Sequence, residues 1–320
     1  MPKFRTEEAK KSLLRRVRKQ RLKYITILPS LITILNGVCG FTAIILAGKG
    51  PRLNAGPPSV SSQTPFFSFA ELSYFALSGY MILLAMVADM LDGRVARISQ
   101  NTSSFGGQLD SICDIISFGV APAYLMLKIL EYKIADFAQV NHTVHIFLLR
   151  FIWLAGAAYV SCAAIRLARF NVENEEDESA HMSFIGLPTP AAAGVIVSLV
   201  ILHEETMPSL NSVIYILPFL AIGVAILMIS RIRYPHVVNQ YLKGKKPFSH
   251  LIKVLLLALL IWWNIQAAMV LIFCGFAGGS FVKWLYYKII RHKDSLVQPA
   301  QNPVLGTADE TPLVNHDVLQ

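Results

Sequence analysis

Charge is scarce in this chain of 320 residues. Only 15% are Asp, Glu, Lys or Arg, against about 25% in a typical soluble domain. With 54% hydrophobic residues and a mean hydropathy of +0.51, that deficit argues against the two water-soluble domains the length alone would allow. Cysteine is scarce as well. Cys39, Cys113, Cys162 and Cys274 each sit in an apolar segment with no CxxC pair. No disulfide framework or zinc site is expected, and the four read as small buried hydrophobes. Acids are fewer than bases, 20 against 29, giving a net charge of +9. The excess does not point to nucleic acid, because no recognised binding module is present. The basic residues instead cluster beside apolar segments, which suits anionic lipid headgroups and topology signals. A cleaved signal peptide is not expected either. Residues 1–23 are basic and lead into an apolar stretch from Ile27 to Leu46, longer than a signal's apolar region. No internal repeat is found.

What is abundant is long apolar blocks. A transmembrane helix needs about 20 apolar residues to cross about 30 Å of hydrocarbon. Eight spans are predicted, at 28–48, 69–91, 107–130, 146–170, 187–203, 213–230, 250–268 and 269–290. The fifth is short, and the last two could merge into one bent helix. The expected fold is an all-α integral membrane protein. Residues 1–27 form a basic N-terminal segment, and 231–293 hold a loop and the two last spans. Residues 294–320 read as a disordered polar tail. Eight spans leave both ends on one side, together with all Lys and Arg except Lys49, Arg52, Lys128, Lys133 and Arg150. The positive-inside rule then places both termini and the 92–106 loop in the cytoplasm, in a multi-pass protein of a prokaryotic cytoplasmic membrane.

Intramembrane acids are costly and are functional candidates by default. Four lie at the cytoplasmic ends of the second and third spans: Asp89, Asp92, Asp110 and Asp114. The first pair is spaced i, i+3 and the second i, i+4, so each pair shares a helix face. A hairpin of the two spans brings all four carboxylates together. Such a group needs cations, and carboxylate oxygens suit Mg²⁺, Mn²⁺ or Ca²⁺. Two metals about 4 Å apart would form a clamp for phosphoryl chemistry. Gly93, Ala96 and Gly106 lie within a turn of these acids and leave room for a flat ligand. Arg97 adds a cation suited to phosphate.

The complete string is Asp89-x2-Asp92-Gly93-x2-Ala96-Arg97-x8-Gly106-x3-Asp110-x3-Asp114. It resembles the signature of the CDP-alcohol phosphotransferase family at all eight fixed positions. The resemblance implies a six-helix catalytic core over residues 28–230, with two extra C-terminal transmembrane helices as an extension. Three further stretches, Ser117–Ala123, Arg166–Asn171 and Phe184–Ala193, look like the branch that uses serine, the CDP-diacylglycerol–serine O-phosphatidyltransferases. Pro29 to Phe41, with Thr33 and Asn36, is similar to that branch's first span. The implied substrates are CDP-diacylglycerol and L-serine, with membrane lipids as surroundings, and the implied cofactors are two divalent ions, Mg²⁺ or Mn²⁺. By the same resemblance Asp89, Asp92, Asp110 and Asp114 hold metal, Asp114 is also the general base, and Asp92, Gly93, Ala96, Arg97 and Gly106 bind the nucleotide. A homodimer is compatible with it.

Other residues are read against blander alternatives. Arg166 and Arg169 are either a positive-inside anchor or a clamp on diphosphate or on the serine carboxylate. Asn171 reads as a helix-end residue. His181, His203, His236, His250 and His292 are scattered and carry no assigned role. Trp262 and Trp263 suit packing or an interfacial belt, and Gly278 and Gly279 suit close helix approach. The acceptor could instead be glycerol 3-phosphate or an inositol compound. A cation transporter is the rival outside enzymes, although transporters place ion sites near the bilayer midplane.

Overall fold

The computed structural model describes residues 29–51, 72–99, 104–135, 141–176, 183–235 and 262–297. The basic N-terminal run and residues 250–261 of the seventh expected span lie outside them. The chain divides into two compact units, Met1–Phe281 and Val282–Gln320, and the packing described here is within the first. The elements are α1 (Pro29–Gly48), α2 (Tyr74–Ser99), α3 (Ser104–Asp114), a π-helical segment (Ile115–Val120), α4 (Ala121–Ile134) and α5 (His142–Glu176). Then come β1 (Ser183–Ile185), α6 (Thr189–Glu205), α7 (Ser212–Tyr215), α8 (Leu217–Ile229), β2 (Arg233–Pro235) and α9 (Ile265–Val297).

Six stretches among the described residues are long and apolar enough to cross a membrane: Pro29–Gly48, Tyr74–Val95, Phe105–Ile134, His142–Val172, Ser212–Ile229 and Ile265–Tyr286. The fifth expected span falls on helix α6, whose 17 residues leave it outside those six. The eighth begins earlier than expected, at Ile265, and its helix runs to Val297, into the stretch read as tail. Among the described residues the fold is helical except for one short antiparallel ladder, in which Ser183, Phe184 and Ile185 face Pro235, Tyr234 and Arg233.

In lipid both faces of a span are apolar, so side-chain size and polarity, not amphipathicity, decide which face turns inward. Helix α1 shows this. Thr33, Asn36, Cys39, Ala43 and Ala47 are buried, while Leu31, Leu35, Val38, Phe41 and Ile45 are exposed. Buried Ser78 of α2 donates its hydroxyl to the Ala43 carbonyl at 2.8 Å. The short α6 is the most enclosed element, with Ala192 to Ser198 buried without a break. It packs on α2 and α8, and α5 packs along α8. At the α5–α6 connection, Gly186 takes φ +81°, and an added Cβ would lie 2.3 Å from the Met228 carbonyl oxygen. Its N–H donates to the Ile232 carbonyl at 2.8 Å, closing the ladder onto the end of α8.

The π segment has a local cause. Pro122 has no N–H, so the α-helical bond it would make to the Phe118 carbonyl cannot form. The Phe118 carbonyl instead accepts the fully buried Tyr159 hydroxyl of α5 at 3.0 Å. The helix widens just before the proline, where the Ala121 N–H bonds to the Ile116 carbonyl, five residues back. Such π turns occur often at functional sites, and this one starts directly after Asp114.

At the other end of α2, Glu205 of α6 accepts the Tyr80 hydroxyl at 2.9 Å and also the Gln266 side-chain amide of α9. Phe273 of α9 lies over Gly194, where an added Cβ would overlap its ring. Gly278 and Gly279, expected to mediate close approach, have nothing within 4 Å of an added Cβ. Among the described residues the tightest helix approaches are at Gly40 and Gly194 instead.

Candidate active site

The C-terminal end of α2 and the start of the third span deliver the acids to one place. Asp89, Asp92 and Asp110 each offer a carboxylate oxygen, and these three atoms all lie within 4.8 Å of one another. Asp92 is buried, and Asp89 and Asp110 are half-buried. Asp92 Oδ2 and Asp110 Oδ1 are both enclosed and have no hydrogen-bond donor. Anionic oxygens hidden in this way need neutralising, since an unpaired buried charge is far costlier than a buried dipole. An all-oxygen set at this spacing fits a hard divalent cation. The acidic group expected from the sequence is therefore assembled, and three of its members could hold a metal.

Asp114 stands one turn further along, buried at 7% exposure, and is outside that group of three. Its Oδ1 accepts the Asn36 side-chain amide at 2.9 Å. Thr33, one turn before Asn36 on α1, donates its hydroxyl to the Pro29 carbonyl at 3.0 Å and lies beside Asp92. Helix α1 therefore touches one acid from each of the two helices that carry the cluster. Thr33 and Asn36 entered the sequence reading only through resemblance. A residue-level signal for them exists, because a polar side chain in an apolar span calls for a partner.

The small residues are placed as follows. Gly93 is exposed, and an added Cβ there would meet nothing within 4 Å. Gly106 is half-buried in the first turn of α3. Ala96 and Arg97 lie on the last turns of α2, and their side chains are outside the described set.

On α5, Arg166 is buried at 6% exposure, with its guanidinium 5.6 Å from the centre of the Phe170 ring. Two contacts set the register of α5 against the third span. Ala163 lies 3.5 Å from an added Cβ at Gly119, and Asn171 exchanges hydrogen bonds with Ser111 at 2.8 and 3.2 Å. Arg166 falls between these levels, alongside the residues that follow Asp114. Burial takes it out of the class of exposed topology anchors. Arg169 is half-buried. Asn171 is not a helix-end residue, since α5 continues to Glu176. It ties α5 to the residue next to Asp110. His203 is buried on α6, well along the bundle from the acids. Trp262 and Trp263 are exposed at 90% and 86%, which excludes core packing for them.

The arrangement can do a definite kind of chemistry. A cluster of acids able to hold divalent cations sits beside an open glycine surface, at the end of two membrane helices. A buried arginine and a buried, amide-held carboxylate stand behind it. This suits transfer of a charged phosphoryl group carried by a lipid. The chain is similar to the CDP-diacylglycerol–serine O-phosphatidyltransferase of Helicobacter pylori strain 26695, with 31% identity over 229 residues, covering 71% of this chain and 88% of that one. It is similar to the protein of the same name from Methanocaldococcus jannaschii, with 39% identity over 160 residues, 50% of this chain and 64% of that one. It is also similar to the archaetidylserine synthase of Methanothermobacter thermautotrophicus, with 34% identity over 214 residues, 66% and 70% of the two chains. The family model for CDP-alcohol phosphatidyltransferase matches residues 26–230, which hold every acid of the cluster, so this chain is a member of the CDP-alcohol phosphatidyltransferase family of enzymes.

Proposed function

We propose that this protein is a phosphatidylserine synthase, which transfers the phosphatidyl group of CDP-diacylglycerol to L-serine and releases CMP. The observation that carries the reading is the gathered carboxylate oxygens of Asp89, Asp92 and Asp110, with Asp92 Oδ2 and Asp110 Oδ1 buried without a donor, inside a chain of this family. Two of the relatives named above share one name and the third is named for a different lipid, yet serine is in all three names, which supports serine as the acceptor here.

Asp89, Asp92 and Asp110 would hold Mg²⁺ or Mn²⁺, with Asp114 as a further ligand if two ions bind. Bound there, the cations would neutralise the diphosphate and the charge that develops on the phosphoryl oxygens. The open surface at Gly93 and Gly106, continued by Ala96 and Arg97, would take the cytidine and its phosphates. Arg166, desolvated and fixed by Phe170, would offer a planar donor set to a phosphate or to the serine carboxylate, with Arg169 one turn further along. The Asp114 carboxylate would take the serine hydroxyl proton. In that step the serine oxygen bonds to the phosphorus bearing the diacylglycerol, the phosphoanhydride bond breaks, and CMP departs with the electron pair. In-line displacement requires the acceptor opposite the leaving group, and Asp114, one turn beyond Asp110, is suited to that side. The excess of Lys and Arg on the loops flanking the acids supports a cytoplasmic active site.

An acceptor screen tests the assignment. Purified protein in detergent, given CDP-diacylglycerol and Mg²⁺ or Mn²⁺, is offered serine, glycerol 3-phosphate and inositol in parallel. CMP release with phosphatidylserine as the main lipid product is expected. Equal or faster turnover with glycerol 3-phosphate would remove serine as the acceptor while leaving the reaction class intact.

A further inference from the structure

Asn36 sits in the middle of an apolar span and is completely buried, at 0% exposure. An amide there is unfavourable unless its groups are bonded. Its Nδ2 donates to Asp114 Oδ1 at 2.9 Å. Its backbone carbonyl accepts the Ser117 hydroxyl at 2.9 Å. These two bonds fall on either side of the point where α3 gives way to the π segment. One residue thus bonds the Asp114 carboxylate through its side chain and, through its backbone, the segment that follows. Gly40, one turn along the same face of α1, allows the approach. An added Cβ there would lie 2.6 Å from Ser117 Cα.

The other end of the same amide is the telling feature. Asn36 Oδ1 is buried with no hydrogen-bond partner. A carboxylate can only accept, so the amide must turn its nitrogen to Asp114, and its oxygen is left unpaired. Buried polar atoms are almost always satisfied, and an exception calls for an explanation. An amide kept only for packing two helices would gain by becoming an apolar side chain of the same size.

We infer that Asn36 is a positioning residue for the transfer step, holding Asp114 by Oδ1 so that Oδ2 stays free as the proton acceptor. This inference rests on the reading of Asp114 as the base. A carboxylate free to rotate about χ1 and χ2 would spend part of its time unable to take the proton. Water that attacks the same phosphorus in place of serine gives phosphatidic acid and CMP, and being small and abundant it can reach the in-line position and pass its proton to other water, so it depends less on where Asp114 points. A loosened Asp114 should therefore shift the products from phosphatidylserine towards phosphatidic acid.

The test uses the full-length protein in detergent with CDP-diacylglycerol, serine and Mg²⁺ or Mn²⁺. Asn36→Ala removes the donor, and Asn36→Leu removes it while keeping the size. Ser117→Ala removes only the neighbouring staple and reports the cost of weakened packing between the two spans. Loss of one hydrogen bond to a charged group predicts a fall in kcat of roughly 10- to 100-fold in both Asn36 variants. KM for CDP-diacylglycerol and the metal concentration for half activation should stay within about twofold of wild type. The ratio of phosphatidic acid to phosphatidylserine should rise. Ser117→Ala should lose thermal stability without that change of products. The inference is overturned if Asn36→Ala keeps wild-type kcat. It is equally overturned if Asn36→Leu keeps wild-type kcat, or if Ser117→Ala at matched stability shows the same kcat and product ratio as the Asn36 variants. Failure of the wild type to make phosphatidylserine would strike the functional reading instead, so the two failures are distinguishable.

Discussion

Substituting Gly40 by alanine adds one methyl group at the tightest contact between α1 and the third span. That methyl would lie 2.3 Å from Ser117 Oγ, 2.6 Å from Ser117 Cα and 2.9 Å from Ser117 Cβ. A rotamer change at Ser117 relieves the first contact and cannot relieve the second, which is to backbone. Carbon atoms rest about 3.5–4.0 Å apart, so the two helices must separate by roughly 1 Å. Overpacking of this kind costs about 1–3 kcal/mol, and a backbone clash belongs at the upper end. For a domain of this size that corresponds to a fall in melting temperature of roughly 6–12 °C. The same separation stretches the 2.9 Å bond from Asn36 to Asp114 past hydrogen-bonding range, so turnover should fall at least about tenfold. Cys39 and Cys113 are buried on these two spans, so reaction with a thiol-reactive dye during heating follows their separation directly. Turnover is read as CMP release. A Gly40→Ala protein with wild-type melting temperature and wild-type turnover would refute the close-approach argument.

Gly93→Ala should behave in the opposite way. Nothing lies within 4 Å of an added Cβ there, and alanine is the better helix former by about 1 kcal/mol. Its melting temperature should hold or rise, while KM for CDP-diacylglycerol rises because the added methyl occupies the surface proposed for the nucleotide. An unchanged KM would detach Gly93 from the donor site. Asp89→Asn and Asp110→Asn should each lower turnover by more than about 100-fold without loss of thermal stability, since each removes a repulsive charge. Near-wild-type turnover of either, with the same metal dependence, would dismantle the metal site.

Much of the site could be read in the sequence because its residues are near neighbours in it. The spacing of Asp89 and Asp92, and of Asp110 and Asp114, fixes which helix face each pair occupies, and a short connection does the rest. Contacts between distant segments carried no such signal. Asn36 and Asp114, or Ser111 and Asn171, meet only because α1 and α5 pack against the third span, and no spacing rule relates them. The π segment depends on Pro122 and also on Tyr159, which supplies the donor that the proline lacks, from another helix. The length of α6 was legible, but not its place at the centre of the bundle, because an apolar helix in lipid reads the same on every face. Gly278 and Gly279 misled for a related reason. A glycine permits close approach without requiring it, and here the approaches occur at Gly40 and Gly194.

The link from Tyr80 through Glu205 to Gln266 bears on how the chain comes together during synthesis. Helices enter the bilayer roughly in chain order and then associate. Glu205 is in place before residue 266 has been made, and until then the Tyr80 hydroxyl is its one partner in this trio. A carboxylate withdrawn from bulk water is poorly tolerated without donors. Arrival of α9 supplies the second donor, and Phe273 settles over Gly194. Helix α9 thus adds a second donor to a polar contact begun by two earlier helices, and a chain ended before it would leave Oε2 of Glu205 with the Tyr80 hydroxyl alone.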